Sequence, residues 1–170
     1  MEVDIAAALA PVELAVVQAA QQASMARLRE SSIVCRPKCA ACCKRAIVLT
    51  VAEAAVIVRR LLAIGKWPQA QRAAEAVRDI AAAANPQAWY KMGIDCPLLK
   101  DGLCMAYAVR PVACAAHFVT SDPAACDNTT AMPRAYMPHH MPEVHAQFIV
   151  ALEAALAPGS VLRLSAPLPL

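Results

Sequence analysis

Apolar residues recur at helical spacing in four stretches of the chain. The first opens near Pro11, a residue suited to a helix's first turn, and runs to about Glu30. Its apolar positions Leu14, Val17, Met25 and Leu28 fall roughly on one face, which could pack against the chain itself or another copy. The second carries a capping box, Thr50 with Glu53 three residues on, followed by Val51, Ile57, Val58, Leu61 and Leu62. Gly65 suits a left-handed cap at its end. A third helix is predicted from Pro68 through Val77 and Ile80 to the alanines at 81–84, stopped by Asn85-Pro86. The last is predicted over 142–157, from Pro142 through Val144, Phe148, Leu152 and Leu156 to Pro158-Gly159. Residues 92–141 are rich in proline, aspartate and cysteine and show little periodicity, so they read as a loop scaffold with short turns.

These elements predict a mostly α fold, a small helical domain whose cysteine-rich irregular region is organised around a metal centre. No repeat or linker divides it. One domain is expected over 1–170, with an N-terminal helix at 11–30, a cysteine-bearing core at 35–126, a C-terminal helix at 142–157 and an extended tail at 158–170.

Composition supports helices. The chain holds 40 alanines among 170 residues, and alanine is the strongest helix former. It is 59% apolar and 17% charged, which excludes a disordered chain. A net charge of +3 is too small to suggest nucleic acid. The start, Met1, Glu2, Val3, Asp4, carries acids where a secretory signal needs basic residues. The longest apolar stretch, Val3 to Met25, is broken by Asp4, Glu13 and several glutamines, so no membrane span is expected. A cytoplasmic location follows as an expectation, and there thiols stay reduced.

That expectation makes the eight cysteines a chemical signal. Cys35-x3-Cys39-x2-Cys42-Cys43 forms one cluster, and Cys96, Cys104, Cys114 and Cys126 follow. A Cys-x2-Cys spacing lets two thiolates converge on one ion, as in zinc ribbons and iron–sulfur loops, and Cys35 can supply a third. Adjacent Cys42 and Cys43 are expected to point in different directions. Two groups of four fit either two four-thiolate sites or one cluster with structural thiols left over. Arg36, Lys38, Lys44 and Arg45 bracket the first cluster, and no acid occurs from Ser31 to Ala52. Such cations lower thiol pKa values and offset the charge of bound thiolates. The x3-x2 spacing also matches the cluster loop of radical S-adenosylmethionine enzymes, but those are built on long β/α barrels, for which this chain has neither strands nor length.

The second half orders its cysteines in a distinctive series: Cys96-Pro97-Leu98-Leu99, Asp101-Gly102-x-Cys104, Tyr107-x2-Arg110-Pro111-x2-Cys114 and Ser121-Asp122-Pro123-x2-Cys126. With the first cluster and the helix from Thr50 to Leu62, this series resembles the bacterial YkgJ-like cysteine-cluster family of zinc- or iron-chelating domains. The resemblance spans roughly residues 35–126. It implies eight cysteines that chelate zinc or iron in a small, mostly helical protein of undetermined role, and the x3-x2 spacing suits a [4Fe–4S] cluster as the form of that iron. By the same carry-over, Tyr107 and Arg110 fit residues that donate to cluster sulfurs or pair with an acid, or else pack a turn. Larger relatives include flagellin lysine methylases with extra domains, for which this chain has no room. One departure stands out. Family members usually carry arginine after the third late cysteine, where this chain has Ala115.

Two weaker signals remain. Met132, Met137, His139, His140, Met141 and His145 fall in one stretch, a composition that can bind copper or simply fill a proline-rich loop. His117 follows Cys114 closely and could replace a thiol. The sequence therefore implies a metal-binding protein with a metal ion as its partner and no nucleic acid or membrane. The alternatives are an iron–sulfur redox or protein-modifying enzyme, and a copper or zinc trafficking protein. No protein partner is indicated, and no residue is marked as catalytic.

Overall fold

The structure, a computed structural model, describes residues 5–36, 38–47, 49–122, 124–127, 135, 136, 146 and 150. Its first helix, α1, spans Ile5–Arg29 and so begins before the expected start, with Pro11 inside it. Pro11 gives up one backbone hydrogen bond near the helix's N-terminal end. The buried stripe of α1 is not the leucine stripe. Leu9, Val12, Ala15, Val16, Ala19, Ala20, Ala23 and Ala26 face inward, whereas Leu14, Met25 and Leu28 are exposed, Leu28 at 82%. Counting large apolar residues selects the wrong face here because beyond Leu9, Val12 and Val16 the contact face is built of alanines. A side chain that ends at Cβ lets the backbones of neighbouring helices approach closely.

The reversal has a measurable consequence. Ala23→Leu should destabilise the fold by about 1–3 kcal/mol, because three further carbon atoms must enter a filled interface. Leu28→Ala, on the nominally more hydrophobic face, should stay within about 0.5 kcal/mol of wild type. Urea denaturation of both variants checks the pair, and the opposite order would restore the leucine face as the interior.

Helix α2, Val51–Ala63, packs on α1. Its capping box is complete, with the Thr50 side chain accepting from the Glu53 backbone N–H at 3.1 Å and Glu53 accepting from the Thr50 backbone N–H at 2.8 Å. Gly65 follows in the left-handed conformation that a side chain would strain. Arg59 and Glu13 form an ion pair that links α2 to α1. Helix α3, Trp67–Ala83, rests on α2 with Pro68 in its first turn and Ala70 buried. The expected stop at Asn85-Pro86 proves to be a start as well. The Asn85 side chain accepts from the Ala88 N–H at 2.8 Å and opens a short helix, α4, Pro86–Met92.

The later segment is a chain of brief elements. Strands β1, Leu99–Lys100, and β2, Leu103–Cys104, pair antiparallel across Asp101-Gly102, both of which have positive φ. That is the backbone of a tight hairpin turn whose twist suits the strands. A 3-10 turn at Tyr107–Val109 and a four-residue helix, α5, Val112–Ala115, follow and both pack on α1. Strand β3, Phe118–Val119, pairs with β4, Ala135–Tyr136, and helix α6 spans Ala124–Asp127. The core lies where α1, α2, the Tyr107–Val109 turn and α5 meet, around fully buried Val12, Val16, Val56, Leu61 and Phe118. The result is a mostly helical fold, as expected, with a cysteine-rich irregular part. The predicted helix at 142–157, the Met/His stretch and the tail at 158–170 lie outside the described residues, apart from Ala135, Tyr136, Ala146 and Val150.

Candidate metal centre

The eight cysteines reach one region of the molecule from four parts of the chain, each part with its own local cause. In the first, Lys38 adopts positive φ and Cys39 donates its N–H to the Arg36 carbonyl at 3.0 Å, so the chain reverses between Cys35 and Cys39. A 3-10 turn over Ala41–Lys44 then carries Cys42 and Cys43. The Cys96 N–H bonds directly to the Cys43 carbonyl at 2.6 Å, which joins the two sequence clusters through their backbones. The β1–β2 hairpin sets Cys104 opposite Leu99, whose N–H in turn bonds the Cys96 carbonyl at 2.8 Å. Cys104 therefore folds back beside Cys96.

Cys114 sits on α5, whose first N–H, that of Val112, donates to the second oxygen of Glu53 at 3.0 Å. Glu53 is 5% exposed. One carboxylate thus caps α2 with one oxygen and holds the Cys114 helix with the other. Cys126 is buried on α6, which packs against the Ala41–Lys44 turn. Its carbonyl accepts from the Tyr90 hydroxyl at 2.6 Å. None of the eight cysteines is in a disulfide. Among the described residues, no three donor side chains already converge closely enough to hold an ion; the thiols are neighbours rather than a closed cage.

Their mutual influence shows in their acidity. Cys43 is pushed up first by a hydrogen bond to Cys42, which keeps it protonated, then by burial and by Cys42, Cys96 and Cys104. The adjacent thiols thus interact directly, contrary to the expectation that they point apart. Burial raises Cys96, with Asp95 and Cys42 adding to it. Burial also raises Cys104, with Cys96 assisting and Arg110 opposing. Cys114 is pushed up to about 12 by burial, then by Cys96, Cys104 and Cys42. Cys126 is raised by burial and by Cys42, Cys35 and Cys39, while Arg45 opposes. The expectation that the basic collar lowers the thiols of the first cluster is overturned for Cys43. Burial and thiolate repulsion outweigh the cations.

Arg110 is the buried cation of the region, 5% exposed. Its guanidinium stacks 4.0 Å from the Tyr107 ring centroid and donates to the Tyr107 carbonyl at 3.4 Å. Tyr107 is itself half-exposed and serves as the platform of that cation. Arg45 lies 5.7 Å from the Tyr90 ring centroid and 3.4 Å from His117 Nε2. Burial, then Arg45, lowers the His117 pKa, which favours the neutral ring whose Nε2 faces a guanidinium donor. Ala115 is fully buried in the core, a place into which an arginine would not fit without displacing apolar contacts. Sequence reading identifies Glu53 only as a cap and misses Tyr90, which lies on the helix taken for a stop.

The raised thiols set the sign of the pH dependence. With folded-state pKa values above the ordinary 9.0, the native chain holds these protons more tightly than the unfolded chain. Their contribution is fully present below about pH 9 and is lost as pH rises through the folded values. Metal-free protein kept reduced should therefore melt at progressively lower temperature from about pH 9 upward. Melts recorded across that range that do not fall would refute the buried, protonated state of these thiols.

A family model described as "CxxCxxCC: Putative zinc- or iron-chelating domain" matches residues 34–135, more than half of the chain. No curated protein and no solved structure gives a significant match.

Proposed function

The chain belongs to this zinc- or iron-chelating domain family, and from that premise we propose that Cys35, Cys39, Cys42, Cys43, Cys96, Cys104, Cys114 and Cys126 bind iron, as a [4Fe–4S] cluster, or zinc, and so fasten the late segments to the helical frame. The observation that carries this reading is that eight reduced thiols from sequence-distant segments share one neighbourhood in which they act on one another. Soft thiolates suit both zinc and iron–sulfur centres, and iron is favoured by the Cys35-x3-Cys39-x2-Cys42 spacing.

The chain's own residues supply what a thiolate centre needs. Arg110 favours the charged form of Cys104 and Cys114, and Arg45 does the same for Cys126. Tyr107 holds Arg110 in place through its ring and carbonyl, and Glu53 fixes the helix that bears Cys114. A bound metal would supply crosslinks among segments that are too short to anchor themselves by packing.

Elemental analysis with an absorption spectrum, on protein purified anaerobically from iron-replete cells, tests the proposal. A brown protein with visible charge-transfer absorption and bound iron is expected. A colourless protein with stoichiometric zinc would overturn the iron assignment, and metal-free protein with all thiols reactive would overturn the function.

A further inference from the structure

Three side chains that are not thiols link the early cysteine loop, the end of α5 and α6. Arg45 follows the Ala41–Lys44 turn, its guanidinium 5.7 Å from the Tyr90 ring centroid and 3.4 Å from His117 Nε2. His117 lies just beyond α5, and its N–H donates to the Cys114 carbonyl at 3.4 Å. Tyr90 in turn donates its hydroxyl to the Cys126 carbonyl at 2.6 Å. One aromatic side chain therefore meets the early cysteine segment through its ring and the last cysteine segment through its oxygen. We infer that Tyr90 is a positioning residue of the metal centre: by holding the Cys126 carbonyl it keeps α6 closed on the early loop and slows the loss of bound metal. This role rests on the metal-binding reading and deepens it.

The two partners differ in how firmly they are held. Helix α4 is capped at its start by the Asn85 side chain. At its end Gly93, in the left-handed conformation, donates its N–H to the Tyr90 carbonyl at 3.1 Å. Trp89, the residue before Tyr90, is buried and anchors the helix. Helix α6 is a single turn, Ala124–Asp127, capped locally by the Asp122 carboxylate, which accepts from the Ala124 N–H at 2.8 Å. A helix of that length does not persist by itself, so its conformation depends on contacts from outside. It packs on the Ala41–Lys44 turn, and the Tyr90 bond reaches it from 36 residues away at the backbone of the cysteine itself. Opening of α6 must break that bond. A neutral hydrogen bond shifts such a local opening equilibrium by about 2- to 10-fold.

Tyr90→Phe keeps the ring beside Arg45 and removes only the hydroxyl. Loaded with cobalt(II) under anaerobic conditions, the variant should bind as many ions as wild type and release them to excess EDTA about 2- to 10-fold faster. A second measurement needs no metal. In reduced, metal-free protein, alkylation of buried Cys126 by iodoacetamide, read by peptide mapping, should rise by a similar factor. Cys104, on the β1–β2 hairpin, should react at the wild-type rate. Either the release or the Cys126 alkylation remaining at its wild-type rate overturns the role. So does an equal rise at Cys126 and Cys104, which would mark a general loosening of the fold. Failure of the metal-binding reading is distinct: wild type itself would then take up no cobalt, and the role of Tyr90 in metal retention falls with it.

Discussion

Removing the metal should lower the melting temperature by at least about 10 °C. For a chain of this size each kcal/mol is worth about 2–4 °C, so the expectation corresponds to a few kcal/mol of ligation. The reason lies in how the late segment is built. Among the described residues between Gly93 and Asp127 no element exceeds four residues, and the buried side chains they offer are few: Ala106, Val109, Val112, Ala115, Phe118, Val119 and their neighbours. Such pieces cannot recover their ordering entropy by packing alone. A structural thiolate site supplies about 10–16 kcal/mol of apparent binding energy in small zinc peptides, more than enough to hold them. Thermal melts before and after exhaustive chelation, with reductant present, provide the measurement. A melt that does not move would show that the metal is not structural.

The second large effect is expected at a residue that binds no metal. Glu53→Ala should destabilise the protein by about 3 kcal/mol, well above the roughly 1 kcal/mol of an isolated helix cap. Its carboxylate accepts from the Thr50 N–H at 2.8 Å, the Thr50 hydroxyl at 3.0 Å and the Val112 N–H at 3.0 Å. Removal leaves both backbone donors without this acceptor, and the Val112 contact is buried. Glu53→Gln keeps the volume and one acceptor oxygen, so about half the loss is expected. Equilibrium urea unfolding reads both. A loss for Glu53→Ala no larger than that of a surface cap would mean that the Val112 bond contributes little.

Much of this arrangement is legible in the sequence, and where it is not the physics is specific. Thr50, Glu53 and Gly65 announce α2 because capping chemistry is local and needs no tertiary information. Asp101-Gly102 announces the hairpin because positive φ at two successive residues suits few other pairs. The cysteine spacing announces thiol clusters suited to a metal, because a Cys-x2-Cys interval lets two thiolates converge on one ion. The inward face of α1 is hidden, since choosing between Leu28 and Ala23 depends on how closely a neighbouring helix approaches. Helix α4 is missed because proline after asparagine both ends one helix and suits the first turn of the next. The second role of Glu53 is hidden because its partner, Val112, lies 59 residues away. Cys126 joining the early loop is likewise a property of packing that spacing does not encode.

The bond between the Cys96 N–H and the Cys43 carbonyl also orders events in time. It closes a loop that contains all of α2, α3 and α4, and a loop of that length is entropically costly to close as a free coil. Helices form locally and fast, which shortens the loop before its ends meet. The thiols therefore come together on an already helical chain, and metal capture is a late step of folding. In refolding experiments the far-ultraviolet helical phase should run at the same rate with and without cobalt, and only the thiolate absorption should wait for it.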